Sequence, residues 1–98
     1  MKPVLDGFDK AFENKTRLAI MSVLVVNDSA DFNTLKEMLQ VTDGNLASHI
    51  TALEKAEYLE VRKGFIGRKT NTTYKATKLG ALAFKNHLDA LEKLIKGI

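Results

Sequence analysis

Apolar positions recur at helical spacing along most of the chain and at strand spacing in one stretch only. Leu5, Phe8 and Phe12, three and four apart, predict a short helix over 5–12. Asn14 is placed to cap a second helix over 15–26. In that helix Leu18, Met21, Leu24 and Val25 make an apolar stripe that Ala19, Ile20 and Val23 widen, the pattern of a central core helix. Asn27-Asp28-Ser29 ends it. Asp31-Phe32-Asn33 has room only for a strand stub. Thr34-Leu35-Lys36-Glu37 has the capping-box spacing and predicts a short helix from Thr34 to Gln40, with Leu35, Met38 and Leu39 inward.

Thr42 is placed to cap the next helix, predicted over 43–57, and Asp43 suits its positive first turn. Leu46, Ile50 and Leu53 form its one apolar stripe. At about 100° per residue, Gly44, Asn45, Ser48, Thr51, Ala52 and Lys55 fall on the opposite face. That face is small and polar, with almost no acid, and admits close approach and hydrogen bonding. From Tyr58 the period becomes two: Leu59, Val61 and Lys63 alternate with Glu60 and Arg62. Gly64 and Gly67 predict a long turn over 64–71, and 72–77 returns as a strand with Tyr74 and Ala76 on one face. Thr77 caps a last helix over 78–98. Its Ala81, Phe84, Leu88, Leu91, Ile95 and Ile98 continue a four-three spacing from Thr77, a seam that calls for a partner, with Leu79, Leu82 and Leu94 beside it.

Composition narrows the class. The 98 residues, 45% hydrophobic and 28% charged, suit a single folded domain over 1–98. With no cysteine, a disulfide framework, a thiolate metal site and a cysteine nucleophile are excluded. No signal peptide or membrane-length apolar run is read, so a cytoplasmic protein without a membrane partner is expected. Net charge is +3, but it is unevenly placed. Between Lys55 and Lys78 seven basic residues face only Glu57 and Glu60, a net +5, and the remaining eight basic and ten acidic residues leave −2. Arg68 and Lys69, beside Thr70, Asn71 and Thr72 near the hairpin tip, suit phosphate contacts. A polar helix followed by a basic hairpin matches one geometry, with the helix in a major groove and the hairpin on the adjacent backbone or minor groove.

The order and motifs of these elements resemble the winged-helix transcriptional regulators of the MarR and ArsR type, and most nearly the small stand-alone winged-helix DNA-binding domain family. Residues 14–20, Asn-Lys-Thr-Arg-Leu-Ala-Ile, resemble the N-P-x-R-L-x-I-L opening of the family's core helix, with Lys15 in place of proline. Residues 45–59 resemble its S-x-H-x-x-x-L-x-x-x-G-L-V recognition-helix pattern, with Ser48 and His49 adjacent and Glu57 in place of glycine. Residues 74–80, Tyr-Lys-Ala-Thr-Lys-Leu-Gly, resemble the Y-x-L-T-x-x-G that closes the wing. The resemblance implies a mainly α winged helix-turn-helix that binds double-stranded DNA as a homodimer. By position it implies that Asn45, Ser48, His49 and Thr51 or Ala52 face base edges. Thr34 and Thr42 would meet phosphates, and Arg68 and Lys69 would form the tip of a wing over 64–72. Phe84, Leu88, Leu91, Ile95 and Ile98 would form the dimer interface.

An enzyme is not expected. His49 and His87 are the only histidines, they lie far apart, and no catalytic, phosphate-cradling or metal motif accompanies them. No cofactor or metal is called, and no effector ligand is identified. The alternative is a winged helix serving as a protein-interaction or RNA-binding module. Phe65 and Ile66 bear on it, and packing beneath the hairpin is the expectation for both.

Overall fold

The computed structural model describes residues 5–97. Met1–Val4 and Ile98, the last residue of the seam, lie outside the described residues. The elements are a 3-10 turn (Lys10–Phe12), α1 (Lys15–Val26), β1 (Ala30–Asp31), α2 (Phe32–Leu39), α3 (Asp43–Lys55), β2 (Leu59–Ile66), β3 (Lys69–Ala76) and α4 (Lys78–Ile95). The sheet is antiparallel in the order β1-β3-β2, with Ala30 opposite Tyr74 and Leu59 opposite Ala76. This is the expected mainly helical fold, with the hairpin widened to three strands by the stub at β1.

Capping explains most of the boundaries. The Asn14 carboxamide accepts from the Thr16 and Arg17 N–H groups and opens α1. Thr42 and Thr77 do the same for α3 and α4, accepting from Asn45 and Gly80. Each leaves fewer orphan donors in the first turn. At α2 the sequence reading is corrected. Asp31, not Thr34, is the cap, and its carboxylate accepts from the Thr34 N–H at 2.8 Å. That bond and a second from the Thr34 side chain hold the Asp31 carboxyl below its ordinary range. Thr34 lies within the first turn.

The helix expected over 5–12 is reduced to the 3-10 turn. Gly7, at φ +93°, leaves the helical region, and the segment there passes close to Ala90 of α4. Leu5 is accordingly exposed and Phe12 fully enclosed. Around Phe12 the core gathers Ile20, Met21, Val23 and Leu24 of α1, Leu35, Leu46, Ile50, Leu53, Leu59, Tyr74 and Phe84. Val25 and Met38, expected inward, face solvent; α1 is buried through Met21 and Leu24, as expected, and through Ile20 and Val23, and α2 through Leu35. His87 is buried as well. Its Nδ1 accepts the Asp9 N–H at 3.0 Å, and its ring meets Phe8 and Phe12 edge-on.

α3 stops at Lys55, two residues short of the expected end. Ala56 is its C-cap, and Glu57 takes a left-handed φ of +64° that reverses the chain into β2. The Glu57 carbonyl accepts from Thr77 Oγ1 and the Tyr58 carbonyl from the Thr77 N–H. Beside them Gly80 lies so close to Tyr58 that a Cβ there would stand 2.0 Å from its carbonyl oxygen. This clamp locks the end of α3 to the start of α4.

Candidate nucleic-acid interface

Helix α3 is fixed to the core by Leu46, Ile50 and Leu53, each nearly or fully buried. Its outer face therefore has one orientation, and Gly44, Asn45, Ser48, Thr51, Ala52 and Lys55 are all exposed on it. Asn45 and Ser48 spend no side-chain atom on the described hydrogen bonds of the fold. Thr51 Oγ1 donates back to the Ala47 carbonyl at 2.9 Å, which leaves its lone pairs as acceptors toward an incoming group. Thr42 Oγ1 is engaged as the cap of α3. Asp43, in the first turn, pairs with Lys36 of α2 at 2.7 Å, an exposed bridge across the helix-turn-helix that adds little to its stability.

His49 sits apart from this face, half-buried at its edge. Its Nδ1 lies 3.3 Å from Arg17 Nη1, and Arg17 Nε donates to the Ala11 carbonyl at 2.7 Å. The arrangement places a lone pair of His49 toward the guanidinium and leaves Nε2 as the donor edge. Arg17 thus connects the N-terminal segment with the outer helix. In the sequence Arg17 stands out only as part of a motif, because nothing in the spacing of residues 17 and 49 announces their meeting.

The hairpin departs most from expectation. The turn predicted over 64–71 is a continuous ladder instead. Gly64 pairs with Asn71, Phe65 with Thr70 and Ile66 with Lys69, and only Gly67 and Arg68 form the turn. Gly67, at φ +63°, fits the first central position of a two-residue hairpin turn. A glycine weakens a strand in a half-buried sheet, but Gly64 lies within β2 where the ribbon is solvated and there is no packing for it to lose. Arg68, Lys69 and Thr70 are exposed at the end of this ribbon, and Asn71 is half-buried. Arg62 is tied to Glu60 at 2.8 Å, whereas Arg68 and Lys69 enter none of the ion pairs among the described residues. Phe65 and Ile66, expected beneath the hairpin, are 75% and 68% exposed.

The residues named from the sequence thus form two separate groups. Asn45, Ser48, Thr51, Ala52 and Lys55 share one helix face, and Arg68, Lys69 and Thr70 share the ribbon end. Phe84 belongs to the chain's own core, edge-on to Phe12. Leu88, Leu91 and Ile95 remain wholly or partly open.

Comparison with known proteins agrees with this geometry. Residues 16–95 match a family profile described as a winged helix DNA-binding domain. An uncharacterised protein of Methanocaldococcus jannaschii is 37% identical over 89 residues, covering 91% of this chain and 97% of its own. Among solved structures, a transcriptional regulator homologue from Pyrococcus horikoshii superposes with a TM-score of 0.85 at 30% identity, over 96% of this chain and 91% of that one. A PadR-family transcriptional regulator from Eggerthella lenta gives 0.70 at 19% identity, over 82% and 74%, and shares the fold. The solved neighbours include several described as transcriptional regulators. Among the described residues no helix is long and apolar enough to cross a membrane.

Proposed function

The chain belongs to the winged helix DNA-binding domain family, and from that premise we propose that it is a sequence-specific transcriptional regulator acting on double-stranded DNA as a homodimer. Residues 1–98 act as one unit. Helix α3 enters the major groove, where Asn45, Ser48, Thr51 and Ala52 meet base edges, with Lys55 toward the backbone. Asn45 and Ser48 supply hydrogen bonds that specify sequence, and the absence of long charged side chains at positions 44–52 of that face permits close approach. His49 reaches the groove through Nε2 while Arg17 holds its other nitrogen. Thr34 and Thr42 lie at the starts of α2 and α3, where phosphates are favoured. Arg68 and Lys69, with Thr70 and Asn71, bind backbone or minor groove independently of sequence.

The observation that carries this reading is the pairing of a polar helix face, on which Asn45 and Ser48 are unengaged, with a ribbon end whose cations enter no ion pair among the described residues. Selection of bound duplexes from a random pool tests it. The expected result is an enriched, pseudo-palindromic site whose half-sites are spaced by whole helical turns. Binding should weaken steeply with salt. A pool that shows no binding at low salt overturns the reading; enrichment of structured RNA in a parallel pool favours the alternative module.

A further inference from the structure

Phe65 and Ile66 stand exposed immediately before the hairpin turn, where they contribute nothing to the core. Three features say what they fit. Adjacent strand residues point to opposite faces, so the two side chains form no continuous patch. A groove on a protein covers one face of a ribbon; a two-sided apolar tip suits a slot with two apolar walls. Next, residues 61–76 hold five cations and no acid, so the slot must be rimmed by negative charge. Last, the ladder runs unbroken to the Ile66–Lys69 pair and closes in two residues, which makes the tip stiff enough to be driven between surfaces. Stacked base pairs edged by phosphates supply both the apolar walls and the negative rim, and a stiff tip is what parts them.

We propose that the hairpin tip is a wedge: Phe65 and Ile66 press into the minor groove at one base step, unstack it and kink the duplex, while Arg68 and Lys69 hold the flanking phosphates. Strands about 4.8 Å apart, with their side chains, are too wide for a minor groove of about 6 Å. The tip therefore enters only where the groove opens, which unstacking a step accomplishes. This inference rests on the DNA-binding reading and adds a deformation to it.

The test compares the full chain with F65A/I66A on a short duplex carrying fluorescent donor and acceptor at its two ends, fully paired or with one central mismatch. The native chain should shorten the end-to-end distance, as a kink of roughly 20–90° does, and should prefer the mismatched duplex by about tenfold. The double variant should leave the duplex straight and lose that preference, while retaining salt-dependent binding. Both side chains are exposed, so the variant should keep its circular dichroism and melting temperature. Equal bending by the variant, or binding without bending by the native chain, overturns the wedge and leaves the DNA-binding reading intact. No binding of any duplex by the native chain overturns that reading first. If F65A/I66A bends DNA normally but changes the sedimentation of the free protein, the pair serves a second copy. If it bends DNA normally but abolishes co-sedimentation with phosphatidylserine vesicles, the pair serves a lipid surface. Either result overturns the wedge.

Discussion

Single residues at the junction of α3, β2 and α4 decide whether α3 is held in place. Glu57 occupies a left-handed conformation that costs a residue with a Cβ about 1–2 kcal/mol. Its family counterpart is glycine, and the structure supplies the reason. Glu57→Gly should stabilise the chain by up to about 1 kcal/mol in urea unfolding, the gain being partly offset by a freer unfolded chain. Gly80 is the opposite case. A Cβ there meets the Tyr58 carbonyl, so Gly80→Ala should destabilise by roughly 1–3 kcal/mol or more and separate α4 from β2. Tyr58 adds a pH dependence. Its hydroxyl donates to Asp9 Oδ2 at 2.5 Å, and this bond, with burial and the Asp9 charge, raises its pKa to about 12. A tyrosine whose folded pKa exceeds the unfolded value near 10 is stabilising below pH 10, and that contribution is lost as pH rises through 12. Unfolding followed between pH 9 and 12 should show the decline in the native chain and a shallower one in Tyr58→Phe.

At the scale of elements, the helix caps were legible because their signal is local. Asn14, Thr42 and Thr77 each sit where a side-chain oxygen meets an amide two or three residues on, and sequence displays that spacing directly. The capping box at Thr34 failed for a tertiary reason. Asp31 accepts from the Thr34 N–H three residues on, the same local spacing as the other caps, but the pairing of β1 with β3 is what decides that the helix begins there and not at Thr34. The hairpin tip was misread because Gly64 and Gly67 look alike in sequence, yet only one sits in the turn. Of the candidate interface, the face of α3 could be read from periodicity, whereas the meeting of Arg17 with His49 and the exposure of Phe65 and Ile66 depend on the assembled fold. The two elements should also separate by experiment. R68A/K69A should weaken binding to all duplexes alike and lower the salt slope by about 2, and N45A/S48A should chiefly relax sequence preference. Titrations of specific and random duplex at several salt concentrations check this. Equal effects from both pairs of changes would contradict the division of roles.

The whole molecule has a radius of gyration of 14.8 Å, above the about 13 Å of a compact chain of this length, and measures 57 × 25 × 21 Å. The overhang of α4 contributes to that shape and bears on assembly. Phe84 and His87 bury one face of the helix in the core, and Leu91, Leu94 and Ile95 continue it at about 100° per residue. Past Ala90 the core ends, and Leu94 and Ile95 stand 41% and 75% exposed, while Leu88, just before it, is 40% exposed. An apolar helix face is stable in water when a second surface covers it. The dimer we propose covers it with the same stretch of another copy, around a two-fold axis. Because these side chains are already open in one chain, L88E/I95E should leave the fold of each chain intact and remove only the association. Sedimentation should move from dimer to monomer. The melting temperature of the native chain should rise with protein concentration, as it does when association and folding are linked, and that of the variant should not. A native chain that sediments as a monomer at micromolar concentration, with a melting temperature indifferent to dilution, would leave the α4 overhang to some other partner.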